Sequence, residues 1–100
     1  MTRVVDIVAE IELLPAEASG KTRGYRSGVR PNHFFADNRF SIIGVVTFEE
    51  PEVLELGMKC NARVRFLWPE DLYAPRMGER WRIQEGSRLV GRGRVVAMLS

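Results

Sequence analysis

Four groupings in this chain have residue types that could do chemistry. The first is Ser19-Gly20-Lys21-Thr22, which follows an apolar stretch and ends as a phosphate-binding P-loop ends. In that motif backbone amides and the Lys ammonium hold phosphate, and a helix starting at the Lys-Thr aims further amides at it. The complete motif needs a glycine five residues before Gly20, where this chain has Pro15. The following Arg23-Gly24-Tyr25-Arg26-Ser27-Gly28 is a poor helix start, so no nucleotide site is expected there. The second grouping is His33 with Cys60, the single histidine and single cysteine. Metal ligation or histidine-based catalysis needs partners that this composition hardly supplies, and a structural histidine in an aromatic run explains His33 with less. The third is Glu49, Glu50, Glu52 and Glu55, whose spacing is not that of a calcium loop and is interrupted by Pro51, so a solvated acidic connection is expected. The fourth is the interleaving of Tyr25, Phe34, Phe35 and Phe40 with Arg23, Arg26, Arg30 and Arg39. Single-strand nucleic-acid grooves use that mixture, but core and interface packing accounts for the same aromatics.

The elements that must position these residues read as strands. From Val4 to Leu14, Val5, Ile7, Ala9, Ile11 and Leu13 fall on one face and Asp6, Glu10 and Glu12 on the other, the period of a half-buried strand. Pro15 ends it, and 15–28 reads as a long polar loop. Pro31 pushes Arg30 out of the helical region, so the chain begins a second strand near Val29 to Ala36. Asp37-Asn38-Arg39 is turn chemistry leading to a third, near Phe40 to Phe48, where Gly44 marks a bulge or a close backbone approach. A fourth, Asn61 to Trp68, turns Ala62, Val64, Phe66 and Trp68 inward with Arg63 and Arg65 outward. A fifth, Glu79 to Glu85, turns Trp81 and Ile83 inward with Arg80 and Arg82 outward, and Gly86-Ser87 leads into a last strand, Arg88 to Leu99. There, outward Arg92 and Arg94 would put Leu89, Val95, Ala97 and Leu99 inside unless a bulge at Gly91 or Gly93 changes the parity. Strands with no helical pattern predict an all-β single domain over 1–100, a closed barrel or a sandwich, with closure favoured because it removes edges.

Composition agrees with an ordinary globular domain: 45% hydrophobic and 28% charged over 100 residues, with no apolar run long enough to span a bilayer as a helix. Asp6 interrupts the start where a signal peptide would be apolar, and the lone cysteine fits a reducing compartment, so a cytoplasmic location is expected. The net charge of +2 hides alternating blocks. Residues 1–20 and 40–75 are net acidic, whereas 21–39 and 76–100 are net basic. The basic blocks could meet as one positive surface for an anionic partner, or neighbouring blocks could neutralise one another.

Two stretches carry a resemblance to a known family. Gly28-Val29-Arg30-Pro31-Asn32-His33-Phe34-Phe35 and Arg80-Trp81-Arg82-Ile83-Gln84-Glu85-Gly86-Ser87-Arg88-Leu89-Val90-Gly91-Arg92-Gly93-Arg94 resemble, in order, segments of the C-terminal β-barrel domain of elongation factor Tu. The Val-Ala-Glu-Ile-Glu-Leu-Leu strand and the Leu-Trp-Pro stretch extend the likeness over nearly the whole chain. The resemblance implies a six-stranded antiparallel closed barrel without a GTPase domain. It also implies family surfaces for a nucleotide-exchange factor, for the GTPase domain and for the T-arm backbone of tRNA. Carried over residue by residue, nucleic-acid contacts would involve Asn32, Glu85 and Gly86, with Arg30 and Arg88 nearby. Trp68 stands where the family has His or Lys before proline, and Ile43 where it has Thr before glycine; both replacements are apolar. A partner interface would accordingly use Pro31, Phe34, Ile43, Trp68, Arg80 and Arg82.

The expectation is a non-enzymatic binding module for a protein partner, without cofactor or metal. RNA or tRNA binding in translation is the alternative. An enzyme has the least support, since no nucleophile, base or metal set assembles from the sequence.

Overall fold

The structure, a computed structural model, describes residues 1–36 and 41–99. Its strands are β1 (Thr2–Leu13), β2 (Tyr25–Arg26), β3 (Asn32–Phe35), β4 (Ile42–Thr47), β5 (Val53–Leu54), β6 (Lys59–Pro69), β7 (Arg80–Glu85) and β8 (Arg88–Met98). A single helical turn, α1 (Ala16–Ser19), follows β1. Six of the strands close a barrel in the order β1-β6-β4-β3-β7-β8, every pair antiparallel, while β2 and β5 form a separate two-stranded sheet. The six-stranded closed barrel is thus the observed architecture. The expected turn at Asp37-Asn38-Arg39 and the strand start at Phe40 lie outside the described residues.

The alternating sets fill the interior as their period requires. Val5, Ile7, Ala9, Ile11 and Leu13 from β1 meet Ala62, Val64, Phe66 and Trp68 from β6 and Trp81 and Ile83 from β7, all buried. Phe35 stacks on Trp81 with ring centroids 4.8 Å apart and meets Phe66 and Trp68 edge-on, the geometry that aromatic quadrupoles favour. Backbone must come close to admit these rings. A Cβ on Gly93 would lie 2.3 Å from Trp81 Cζ2, and one on Gly44 would lie 2.7 Å from Phe66 Cδ1. The β4–β6 register runs unbroken through Gly44, so this glycine marks a close approach and not a bulge.

β8 departs from simple alternation. Its pairing with β7 shifts between Ile83 and Gln84, and its pairing with β1 shifts between Val8 and Ala9. Each irregularity adds a residue to β8 and turns the next side chain to the other face. Val90 is therefore the fully buried residue, where parity predicts Leu89, and Leu99 is exposed. The segment 15–28 is also more ordered than a polar loop. Pro15 O accepts from the amides of Ala18 and Ser19, and Gly20 ends the turn in the left-handed region at φ 71°. The acidic connection contributes β5, which pairs Leu54 with the buried Tyr25.

Candidate functional site

His33 lies inside the barrel, fully buried, as a structural group. Trp81 Nε1–H donates to His33 Nδ1 at 3.0 Å, which fixes the tautomer carrying its proton on Nε2. That Nε2–H points at the Gly44 carbonyl, 3.3 Å away. Burial lowers the histidine pKa to about 4, against a smaller opposing effect of the Gly44 carbonyl, so the ring is neutral at physiological pH. Among the described residues no three His, Cys, Asp or Glu side chains converge as a metal-ion site would require. Glu49, Glu50, Glu52 and Glu55 are all exposed.

The outer surface divides into two contrasting faces. On the first, cross-strand register lines up Val4, Leu67 and Ile43 across β1, β6 and β4. All three point outward, and 53%, 44% and 61% of their surfaces are exposed. The next outward rank is Asp6, Arg65 and Val45. Asp6 accepts from Arg65 Nε at 2.9 Å, from Arg65 Nη2 at 2.9 Å and from Arg63 Nη2 at 3.2 Å. The Arg65 hydrogen bonds hold the carboxyl below the usual carboxylate range, with burial opposing and Arg63 assisting. Val45, Thr47, Arg63 and Arg65 line a groove of about 340 Å³ beside the apolar row.

The second face is built on β7 and β8. Arg80 stands directly opposite Arg94, and Arg82 opposite Arg92. Like charges in directly opposed positions repel, so this square of guanidinium-bearing side chains is not explained by strand pairing. On the β8 flank, Arg94 reaches Glu10 at 3.8 Å, and Glu12 lies opposite Arg92. On the β3 flank, Arg82 sits over the ring of the half-buried Phe34, 5.8 Å from its centroid. A depression of about 230 Å³ lies beside the square, lined by Arg80, Arg92, Arg94, Lys59, Glu10 and Glu12.

At one end of the barrel Asn32 is brought beside the Glu85-Gly86 turn and Arg88. Asn32 pairs with Gln84, next to the Glu85-Gly86 turn, and Gly86 makes that turn at φ 60°. Two of them are engaged within the fold. Glu85 Oε2 accepts from Lys21 Nζ at 2.7 Å and from Tyr25 Oη at 2.6 Å. Burial opposes its ionisation, but these bonds and the charges of Lys21 and Arg88 outweigh it and lower the pKa; buried Tyr25 is shifted upward, by burial first and then by Glu85. Arg88 donates to the Gly20 carbonyl at 3.1 Å. The Gly-Lys-Thr sequence thus serves here as a tie between α1 and the β7–β8 turn, with its helical turn preceding the lysine where a P-loop has it following. Arg30 is exposed and Asn32 half-buried on the outer face.

The residues grouped as a partner interface separate. Ile43 belongs to the apolar face, and Arg80, Arg82 and Phe34 belong to the arginine face. Pro31 is buried. Trp68 requires a correction: it is fully enclosed, because it shares the inward parity of Val64 and Phe66, and its Nε1 donates to Tyr73 O at 2.9 Å. It therefore offers no anchor to a partner. The apolar side chain that β6 does present is Leu67, which the alternation placed outward but whose significance depends on the register with Val4 and Ile43. No family model matches the chain.

Proposed function

We propose that this chain is a non-enzymatic binding module, related to the third domain of elongation factor Tu, that engages a protein partner. The exposed row of Val4, Leu67 and Ile43 carries this reading. Scattered apolar side chains are normal on any surface, but three in cross-strand contact beside a groove make a compact anchor point. Arg63 and Arg65 border it with donors beyond those given to Asp6. An apolar centre rimmed by arginine is the composition of protein interfaces, so the partner expected is one offering an apolar side chain flanked by carboxylates. The resemblance supports the same reading, since the barrel in that family works by docking to other proteins. Among the described residues no helix is long and apolar enough to cross a membrane.

The test is affinity capture from the source cell, with and without nuclease, using the wild type and Ile43→Asp/Leu67→Asp. Both positions face solvent, so the melting temperature should hold within a few degrees. Retention of a partner after nuclease, with loss of that partner in the double variant, is the expected result. Recovery that vanishes with nuclease, or that the double variant retains, would overturn the proposal.

A further inference from the structure

We infer that the arginine face of β7 and β8 is a binding site for single-stranded RNA, with phosphates on the arginine square and a base against Phe34. The argument begins with what the square costs. Two directly opposed Arg–Arg pairs place like charges about 5 Å apart at Cβ, and consecutive outward positions along each strand are separated by about 6.8 Å. Within the described residues, Arg80, Arg82 and Arg92 form no ion pair, and the single bridge of the square, from Arg94 to Glu10, is long at 3.8 Å. Such an arrangement is relieved by an anion that spans several guanidinium groups at once. Arginine suits that task better than lysine, because its planar fork of donors grips a phosphate through two bonds.

Two observations favour a nucleic-acid strand over an acidic protein surface. Phe34 lies on the outer face directly beside Arg82, at the edge of the square, with the Arg82 guanidinium 5.8 Å from its ring centroid, so an aromatic ring and a cation adjoin there. Bases stack on aromatic rings without regard to sequence, and carboxylates do not. In addition, the square is a strip two strands wide on a closed barrel, bounded on the β1 side by Glu10 and Glu12. Those carboxylates repel phosphate, and so confine a strand to the side nearer β3, where Phe34 stands. A narrow cationic track with an aromatic at its edge fits one flexible strand. This site lies on the opposite side of the barrel from the apolar row, so it is independent of the proposed protein interface.

The experiment is fluorescence anisotropy with a labelled 12-nucleotide oligouridylate and the full chain, between 50 and 200 mM salt. With four phosphates neutralised, the log–log slope should be about −2.8, so affinity falls about 50-fold across that range. Arg82→Gln/Arg92→Gln should halve the slope, leaving a loss of about sevenfold. Phe34→Leu should weaken binding about tenfold with the slope unchanged, which separates stacking from charge. Circular dichroism and melting temperature of each variant establish that the barrel is intact; if Phe34→Leu does not fold, Phe34→Tyr, which preserves stacking, should retain wild-type binding. A polyglutamate peptide of the same length should compete poorly. Absence of saturable binding at 50 mM salt, equal binding by folded Arg82→Gln/Arg92→Gln, or equal competition by polyglutamate would each overturn the assignment.

Discussion

The two sides of this barrel handle arginine in opposite ways. Opposite β1, on β6, Arg63 and Arg65 converge on Asp6, a carboxylate held at 6% exposure with three hydrogen bonds from them. Across the barrel, on β7 and β8, Arg80, Arg82, Arg92 and Arg94 face one another with Glu10 as a distant counter-ion. The first side ties its cations to a carboxylate, with donors left over, and exposes Val4, Leu67 and Ile43 next to them. The second leaves its cations outward. Sequence position does not distinguish these arginines, since all of them occupy outward positions on alternating strands. The distinction comes from the neighbour supplied by the adjacent strand: β1 gives β6 an aspartate at the middle of its span, whereas β7 and β8 give each other arginine. The two flanks thus differ in how far their arginines are engaged by carboxylates, and that difference underlies the two proposed sites.

The comparison assumes that one rigid interior holds both flanks, and the largest expected effect tests that. Gly93 in β8 and Gly44 in β4 each press bare backbone against an aromatic ring, and a methyl at either meets atoms inside normal contact distance. Gly93→Ala meets three atoms of the indole at 2.3 to 2.5 Å, and the ring is fixed by its stack on Phe35 and its bond to His33. It should cost about 3 kcal/mol, at the upper end for overpacking. Gly44→Ala, with contacts at 2.7 to 2.9 Å, should cost less. Urea denaturation of both variants gives the ranking; a Gly93→Ala protein as stable as the wild type would mean that the β7–β8 flank is loosely attached to the core.

A second test uses the residue that touches both flanks. His33 links Trp81 of β7 to Gly44 of β4 and is the chain's single histidine. Its folded pKa is about 4, below the ordinary value of 6.5. The unfolded chain therefore binds a proton that the folded chain refuses. Stability is complete above pH 6.5 and falls as pH drops from there toward 4. Between pH 7.5 and 5 the loss should be about 2 kcal/mol. Asp6 and Glu85, both shifted downward, lose their stabilising contributions at more acid pH, so this window belongs to His33. Denaturation midpoints at pH 7.5, 6.5, 5.5 and 5 measure it, and a flat profile would show that water reaches the ring.

Much of this arrangement was legible in the residues. Strict alternation over β1, β6 and β7 determines which side chains enter the core, because interior positions of a small barrel are filled by apolar side chains unless, as at His33, hydrogen bonds inside the barrel satisfy a polar one. The elements not anticipated are those in which periodicity has no length to act over: the two-residue β2 and β5 and the single turn of α1. β8 was ambiguous for another reason, as its bulges depend on how β7 and β1 pair with it, and bulges reset parity. The same limit applies to the candidate sites. Outward arginines can be read from strand alternation, but which of them has a counter-ion depends on register between strands distant in sequence. Asp6 and Arg65 are brought together by such a register. At Trp68 the inward parity prevails, and the core encloses the ring.

The smallest expected effect is also the most direct comparison of the two flanks. Asp6→Asn keeps the shape of the side chain and removes the charge that occupies Arg63 and Arg65. Those side chains are already 53% and 59% exposed, so solvent screens much of the lost attraction, and the stability change should be smaller than in either glycine variant. It should also be confined in pH. The Asp6 pKa is lowered by folding, so the wild-type advantage is complete above the usual carboxylate range and disappears as pH falls through the folded value, where the two proteins converge. The informative readout is binding. If pairing with Asp6 is what keeps the β6 flank from acting as a cationic face, freeing two guanidinium groups should steepen the oligouridylate salt slope by at most about 1.4. An unchanged slope together with an unchanged affinity would show that free arginines are insufficient by themselves. The difference between the flanks would then reside in the opposed arginine pairs and the adjoining ring of Phe34, which the β6 flank lacks among its described neighbours.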